Sequence, residues 1–564
     1  MGDVRGQQGA AAQEVEGHLR ARQVAVRAVA AAVLATLAVA GTAHAQTPLR
    51  IPFPQDDGTL TPYTFELGYP LVTLVYDTLT WRDRRGVPRP WLARSVRVSR
   101  GGRRATIRLR PGVRWHDGRA LTARDVAFTF RRFRARPHPR FTPQLAAVAS
   151  VRATDRTTVV VELRHASLGF RDQPLADVPI LPRHLWRGVP REELAPAGLP
   201  VGSGPYRLVE HRPGAGYRFR ANRRYFRGRP SVARIDVRVI EGAGETFSAF
   251  ERRAVDVVPA PLPERERARL DDLGVEIARG PSYAGTVLMF NLRRPPLDRL
   301  EVRRAIAAAL DPARLARAVS GAAAADRGYL HPRSPWAPRA PLERPPAATV
   351  AMAPLTIAVS DADPTRLQVG REVVLALRRA GVDAALRPLA PPLLAAAVGQ
   401  DGAPPDFDAA IWSSPPLASY DPDFLRVVFG AGQPLNYSGF SSPRFEELAQ
   451  RVAAAPTRAE RRAAVREELR LLADELPVVP LIFQEGTFAY RRGRHDGWVF
   501  VKGAGILDKR SFFARRRAVR PRGAAPAPPA AAGDSSTGLA GWLAAGAAMA
   551  ALALAGAAAR RRRG

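Results

Sequence analysis

Hydrophobic and polar positions follow both strand and helix periods in the first half of the chain. Residues 105–109 alternate with period two, as in a strand with one buried face, and residues 157–163 are rich in β-branched side chains. Thr122 is followed three residues later by Asp125, which predicts the N-terminus of a helix with a reciprocal cap. The pattern therefore predicts mixed strands and helices in this region.

A strand, a helix and a second strand follow one another in the second half. Residues 355–359 predict the first strand, 367–380 a helix that stops at Gly381, and 382–386 the returning strand. Such a unit implies a parallel sheet covered by helices. Further apolar stretches predict a helix with a striped face at 302–310, strands at 407–412 and 478–483, and a long helix that ends before Pro477.

The N-terminus has the three parts of a secretion signal. Arginines precede an apolar run at 28–40, and Ala43-His44-Ala45 satisfies the small-x-small rule for signal peptidase. A cytoplasmic amphipathic helix does not fit, because residues 28–40 are apolar on every face, and the run is short for a membrane span. We predict a signal peptide at 1–45 with cleavage before Gln46, and hence export.

The C-terminus predicts a membrane anchor. No charged residue occurs at 539–559, and a helix of about 20 residues spans the hydrocarbon layer. Arginines 560–563 follow, and such residues stay on the cytoplasmic side. We expect a Pro/Ala-rich linker (518–538), a transmembrane helix (539–559) and a basic cytoplasmic tail (560–564). A buried helix, or a sorting signal without Leu-Pro-x-Thr-Gly, are the alternatives.

Composition excludes several classes of protein. A chain of 564 residues that is 46% hydrophobic can form two or three globular domains. Its net charge is +34. Arginines spread along the whole chain supply nearly all the positive charge, so we expect no nucleic-acid interface, which would concentrate it. The absence of cysteine rules out disulfides, thiolate metal sites and a lipid-modified cysteine.

The sequence lacks the motifs of catalysis and cofactor binding. Its nine histidines occur singly, without a His-Glu-x-x-His helix, and no Gly-x-Ser-x-Gly elbow is present. Gly202-Ser203-Gly204 lacks the third glycine of a dinucleotide loop, and a tight turn with Pro205 is the expected role. Asp406 and Asp408 alternate on a strand, which favours a structural role over acid-base chemistry. We therefore predict neither an enzyme nor a cofactor or metal site.

Several segments together resemble one family. They are 109–118 (LRPGVRWHDG), 121–126 (LTARDV), 201–206 (VGSGPY), 290–291 with 302–305, 406–408 leading to Trp412, 436–440 (NYSGF) and 477–481 (PVVPL). Each is weak alone, but in this order they resemble the extracellular solute-binding proteins, family 5, of the oligopeptide, dipeptide and nickel type, which serve ABC importers.

The resemblance implies an α/β, periplasmic-binding-protein-like fold of two lobes hinged by crossing strands, with an extra subdomain on the first lobe. The expected limits are 46–72, 200–285 and 486–517 for lobe I, 73–199 for its subdomain and 286–485 for lobe II. It also implies a peptide-like or other small solute as ligand and an ABC permease as partner. We expect a monomer outside the cytoplasm, periplasmic or at the cell surface, tethered by the C-terminal helix.

A loop after a strand of the second lobe is the expected ligand site, because α/β folds bind ligands at the carboxyl edge of the sheet. The candidate residues are Trp412, Ser413, Ser419, Tyr420, Asp421, Asn436 and Tyr437. Their aromatic rings offer flat apolar faces with polar tips. Core packing is the alternative for the tryptophan, and a turn role for the asparagine.

One departure from the family concerns charge. Peptide-binding relatives place an aspartate just before a Tyr or Asn in this loop, to bind the ligand's ammonium, whereas this chain has Ser419 there. A neutral hydroxyl compensates poorly for desolvating an ammonium. Asp421 and Asp423 could take over the role; otherwise free-amine peptides are not assured ligands. The alternative function is a basic envelope module of the same fold that attracts acidic polymers.

Overall fold

The computed structural model describes residues 47–513, except 66, 100, 191–192, 260–268, 271–272, 320, 344–352, 362 and 401. The elements below lie in one compact unit that begins at Pro48. The predicted signal peptide, linker, transmembrane helix and basic tail lie outside the described residues. Within the described residues, no helix is long and apolar enough to span a bilayer.

Two four-stranded sheets and one two-stranded sheet form the first part of the fold. The strands here are β1 (Leu49–Phe53), β2 (Thr80–Arg82), β3 (Pro88–Pro90), β4 (Ala93–Val98), β5 (Arg104–Leu109), β6 (Val148–Ala153), β7 (Thr158–Leu163), β8 (Tyr206–Arg212), β9 (Gly216–Ala221), β10 (Arg234–Val239) and β11 (Val257–Pro259). One four-stranded sheet has the order β1-β10-β9-β8, with only β1 and β10 parallel. The other, β4-β5-β7-β6, is antiparallel throughout. The two-stranded sheet is β2-β3, and the last strand of this region, β11, joins a larger sheet.

Helices of 4 to 13 residues occur among these strands. They are α1 (Tyr69–Val75), α2 (Ala123–Ala135), α3 (Gly169–Asp172), α4 (Pro174–Asp177), α5 (Arg183–Trp186) and α6 (Ala243–Glu251). The predicted cap of α2 is confirmed, because the Thr122 amide donates to the Asp125 carboxylate at 2.8 Å and the box is reciprocal. One hydrophobic core joins both sheets and includes Phe488 and Phe512 from the end of the described chain. We call this body the first lobe.

A larger sheet forms the second lobe. Its strands are β12 (Val275–Phe290), β13 (Ala322–Ala324), β14 (Leu355–Ser360), β15 (Ala384–Leu389), β16 (Ala409–Ser414) and β17 (Val478–Arg491), in the order β11-β17-β12-β16-β14-β15 with β13 on β17. The helices are α7 (Leu300–Ala308), α8 (Pro312–Ala318), α9 (Pro364–Arg379), α10 (Pro391–Ala397), α11 (Pro416–Tyr420), α12 (Leu425–Phe429), α13 (Pro443–Ala454) and α14 (Arg458–Glu475). Two hydrophobic cores built from residues 287–482 define this lobe.

The predicted strand-helix-strand unit of the second lobe is confirmed. Strands β14 and β15 are parallel, with Leu355 opposite Ala384, and α9 connects them. Helix α9 begins at Pro364, earlier than its apolar stripe suggests, because the Asp363 side chain accepts the Arg366 amide at 3.0 Å as an N-cap.

Two long strands cross between the lobes. The first half of β12 pairs with the end of β17 beside β11, and its second half pairs with the start of β17 beside β16. The pairing register shifts between Pro281 and Gly285, and Tyr283 there has φ +63°. Such a bulge bends a strand locally. The sequence predicted only residues 478–483 of this pair.

The segment 201–206 is a place of close backbone approach. A Cβ on Gly202 would lie 1.9 Å from the carbonyl oxygen of Val75, at the end of α1. His116 joins the same contact, since its side chain bonds the Gly202 amide at 3.2 Å and the Gly204 carbonyl at 3.0 Å. Burial lowers the pKa of His116 to about 4, so the ring is neutral at pH 7. Residues 109–118 and 201–206, two of the segments that resemble the family, are therefore in direct contact within the first lobe.

Candidate ligand-binding site

A cavity of about 150 Å³ lies between the lobes. Tyr69, Trp81 and Arg140 line it from the first lobe, and Leu417 and Tyr420 line it from α11 of the second. The crossing strands contribute Ser282 and Phe488, and the segment that follows β17 contributes Phe500 and Asp508. Since both lobes and the strands that join them supply its walls, a change in the angle between the lobes would open it.

Tyr420 makes the main contact across this boundary. Its hydroxyl donates to the Lys502 carbonyl, and the Arg82 guanidinium lies over its ring, 3.9 Å from the centroid. Gly86 and Gly503 both have positive φ and lie against the ring; a Cβ on Gly503 would come 2.3 Å from the hydroxyl. Burial raises the pKa of Tyr420, so its hydroxyl remains a donor at neutral pH. Two glycines in the left-handed region thus make room for one tyrosine.

A buried ion pair forms part of the cavity wall. Arg140 donates from Nε to one oxygen of Asp177 at 2.9 Å and from Nη2 to the other at 2.7 Å, and Gln144 donates to the same carboxylate at 2.7 Å. Arg140 also lies over the Tyr69 ring, 4.0 Å from the centroid. This bidentate geometry satisfies the carboxylate within the protein.

A second carboxylate in the wall, Asp508, has different partners. Its oxygens accept the Trp81 indole N–H at 3.1 and 3.2 Å, and one accepts the Arg510 amide at 2.8 Å. The residue is 2% exposed. Burial raises the pKa of the Asp508 carboxyl, and these hydrogen bonds, together with the charges of Arg510 and Lys509, offset only part of that shift. Both its donors are uncharged groups.

An adjoining cavity of about 370 Å³ lies between residues 143–174 of the first lobe and α12 and α13 of the second. Asp421 lines it and forms an ion pair with Arg461; both side chains are buried. Gly169 of α3 rests against this pair, since a Cβ there would lie 2.7 Å from Arg461 Nη2 and 2.8 Å from Asp421 Oδ2. Asp423, the other carboxylate considered for ammonium binding, pairs with Arg426 at 3.2 Å.

The structure separates the predicted site residues. Of the seven, Tyr420 lines the inter-lobe cavity and Asp421 the adjoining one. Ser413 is buried on β16 opposite Thr286, and the Ser419 hydroxyl accepts the His331 amide at 3.0 Å. Their roles as ligand contacts stay predictions.

The remaining three candidates lie within the second lobe. The Asn436 side-chain amide donates to three backbone carbonyls, and its oxygen accepts from the Ser438 hydroxyl and the Phe440 amide. Trp412 packs edge-on against Tyr437 with 5.7 Å between ring centroids, and the Tyr437 hydroxyl accepts from Gln400 at 3.2 Å. The geometry therefore favours the alternatives for this group, a turn for the asparagine and packing for the tryptophan.

Sequence reasoning missed most of the cavity wall. Trp81, Arg82, Arg140, Asp177 and Asp508 come from segments far apart in the chain, and none belongs to a motif. The paired carboxylates Asp406 and Asp408 precede β16 and do not alternate on it as expected; Arg294 bridges them at 3.0 and 3.1 Å, which fits a structural role.

Comparison with known proteins identifies the family. The profile of "Bacterial extracellular solute-binding proteins, family 5 Middle" matches residues 87–434, more than half of the chain. The oligopeptide-binding protein AppA of Bacillus subtilis is 26% identical over 244 residues, which cover 42% of this chain and 45% of AppA. The chain thus spans less than half the length of this curated relative.

Solved structures share the fold. The substrate-binding protein CtaP of Listeria monocytogenes superposes with a TM-score of 0.72 at 21% identity, covering 82% of this chain and 98% of CtaP. Bacillus subtilis AppA in complex with a nonapeptide gives 0.72 at 18% identity, covering 83% and 99%. The predicted two-lobe α/β fold is confirmed. The chain belongs to the bacterial extracellular solute-binding proteins of family 5.

Proposed function

We propose that the protein is the extracytoplasmic solute-binding component of an ABC importer, which captures a peptide-like or other small solute between its lobes and delivers it to a permease. One observation carries this proposal: the walls of the 150 Å³ cavity come from both lobes and from the two strands that cross between them. Membership of the family supports this hypothesis and gives no support to the polyanion-binding alternative.

Capture by this geometry depends on contacts that exist only when the lobes are together. A ligand shifts the equilibrium between open and closed forms only by its preference for the closed one. Tyr420 provides such contacts, since its hydroxyl and ring meet Lys502 and Arg82 of the opposite side. A solute in the cavity would touch both walls at once, and the closed form would be the one presented to the permease.

The proposed role involves no chemical change in the solute. Arg140 and Asp177 neutralise each other. The hydroxyl of Ser282, which lines the cavity, donates to the Gln484 carbonyl at 2.6 Å rather than to a histidine base. A nucleophile needs an adjacent base to react, so the wall is suited to holding a ligand.

The proposal extends to both ends of the chain and to the lobe limits. A signal peptide at 1–45 would export the body, and the apolar helix at 539–559 would tether it to the cytoplasmic membrane through the linker at 518–538. We assign 46–72, 200–285 and 486–517 to lobe I, 73–199 to its subdomain and 286–485 to lobe II. Strands β12 and β17 pass through the junctions near 285 and 485.

Mass spectrometry of small molecules released from gently purified protein tests the proposal. We expect a defined solute that the wild type retains and that Tyr420→Ala loses. Leu393→Ala is the matched control, because Leu393 is 61% exposed and lines neither inter-lobe cavity. If wild type and both variants release the same background of compounds, or if the purified body converts its solute, the proposal is wrong.

A further inference from the structure

The two carboxylates of the inter-lobe cavity differ in whether a cation already matches their charge. Asp177 forms the bidentate pair with Arg140. Asp508 forms no ion pair with any of the described residues, although Lys509 and Arg510 follow it in the chain. The Lys509 ammonium is instead bound to Asp77 at 2.9 Å, and the Arg510 guanidinium donates to the Arg82 and Trp81 carbonyls.

A buried carboxylate without a direct ion pair is costly, because uncharged donors replace water only in part. Asp508 is 2% exposed, and burial raises the pKa of its carboxyl. The Trp81 indole holds the group in the cavity wall. A cation supplied by a ligand would remove much of this cost, so the cavity favours positively charged groups at this point.

The rest of the cavity limits what else the ligand can be. Aromatic side chains form much of its surface, including Tyr69, Tyr420, Phe488 and Phe500. Two arginines and two aspartates line it, so their formal charges cancel. A cavity of about 150 Å³ has room for a group about the size of benzene. These features fit a compact ligand that is neutral overall, with an apolar body.

The geometry points to a free amino acid, or a zwitterion of that size, as the ligand class, with its ammonium bound by Asp508. This inference rests on the proposed function and names its substrate class. It also explains how the chain can bind an ammonium with Ser419 in place of the family's aspartate. The loop carboxylates Asp421 and Asp423 form ion pairs with Arg461 and Arg426, so the ammonium is bound in the segment that follows β17.

Calorimetry can compare ligands with and without an amino group, in the wild type and in a variant that lacks the Asp508 carboxylate. L-leucine and L-phenylalanine are titrated beside 4-methylpentanoate and 3-phenylpropionate, which have the same skeletons without the amino group. We expect the wild type to bind at least one amino acid about 10- to 100-fold more tightly than its analogue. Asp508→Asn should erase that preference, as a double-mutant cycle requires, while its Oδ1 can still accept the Arg510 amide.

Asp406→Asn is the matched control. It makes the same change at a carboxylate that is 80% exposed and lines neither inter-lobe cavity, so it should keep the amine preference. The inference is overturned if neither amino acid binds more tightly than its analogue, or if Asp508→Asn weakens amine and analogue equally. A solute found by mass spectrometry and lost in Tyr420→Ala would leave the proposed function standing in that case, so the two failures are distinguishable.

Discussion

Two buried carboxylates flank Lys509, and they differ in how they are satisfied. Asp77 is fully buried and has four partners: the Lys509 ammonium at 2.9 Å, the Trp91 indole at 2.9 Å, the Tyr225 hydroxyl at 2.8 Å and the Ser203 hydroxyl at 3.0 Å. Asp508 lines the cavity and has only uncharged donors. Burial alone therefore does not distinguish a structural carboxylate from one that can bind a ligand; the set of partners does.

The network around Asp77 also explains the position of Asp508. Lys509 lies over the Trp81 ring, 4.1 Å from the centroid, and the Trp81 indole N–H donates to Asp508 at 3.1 Å. The segment after β17 is thus bound to the first lobe by the charge of Lys509, and Asp508 is held at the cavity by the same anchoring. The ion pair between Asp77 and Lys509 stabilises the fold, and the neighbouring Asp508 provides the ligand-binding carboxylate.

Removing Asp77 should have the largest effect on stability. Asp77→Ala leaves the Lys509 ammonium buried without a counter-ion, which costs about 3–5 kcal/mol in the free energy of unfolding. Urea unfolding measures this. Glu447→Ala is the control, since Glu447 pairs on the surface with an exposed arginine and should cost less than about 1 kcal/mol. Equal losses in the two variants would show that the Asp77 pair has no structural weight.

A methyl group at Gly202 should have the next largest effect. The added Cβ would meet the Val75 carbonyl oxygen at 1.9 Å, so backbone must shift, at a cost of roughly 1–3 kcal/mol. Gly188→Ala is the matched control, because nothing lies within 4 Å of a Cβ there. Thermal unfolding compares the two. A Gly202→Ala protein as stable as Gly188→Ala would contradict the tight contact between residue 202 and α1.

Asp508→Asn should raise the stability of ligand-free protein, opposite in sign to Asp77→Ala. The raised pKa of Asp508 means that its ionised form opposes folding, so removing that charge should increase the free energy of unfolding at pH 7. The gain should shrink as pH falls through the raised pKa and vanish below the ordinary value of 3.8, where the carboxyl is protonated in both states. Urea unfolding at several pH values measures it. A destabilised variant at every pH would assign Asp508 the structural role of Asp77.

Tyr420→Phe should give the smallest effect. It removes one hydrogen bond between the lobes, worth about 1 kcal/mol, so retention of the co-purified solute should weaken roughly fivefold. Dialysis followed by mass spectrometry measures the release. Tyr437→Phe is the control, because the Tyr437 hydroxyl bonds to Gln400 within the second lobe. Equal retention by both variants would show that the Tyr420 hydroxyl does not stabilise the closed form.

Local signals predicted local structure well. The cap at Thr122 and the β14-α9-β15 unit both depend on residues near one another in sequence. Strand β12 escaped prediction, because it is buried on both faces over its second half and so shows no alternation. The resemblance implied crossing strands, but the sequence pattern did not locate them.

The cavity is a tertiary feature and could not be read from spacing. Its wall joins residues near 80, 140, 177, 420 and 508, and their contacts depend on how the lobes pack. Tyr420 was found because its loop follows a strand of the sheet. Asn436 was chosen by the same rule, yet its side chain forms hydrogen bonds with residues 429–440 of the second lobe. Proximity to a sheet edge therefore selects a region and not the side chains that face the ligand.

The distance between the lobes tests the central claim most directly. The chain has no cysteine, so spin labels can be placed at Val209→Cys on β8 and Leu375→Cys on α9, where the native side chains are 40% and 45% exposed. Protein stripped of bound solute by unfolding and refolding is measured by pulsed electron resonance with and without the low-molecular-weight filtrate of a yeast extract. Capture by closure predicts a shorter and narrower distance distribution with the filtrate. Identical distributions, in a sample that retains solute, would contradict it.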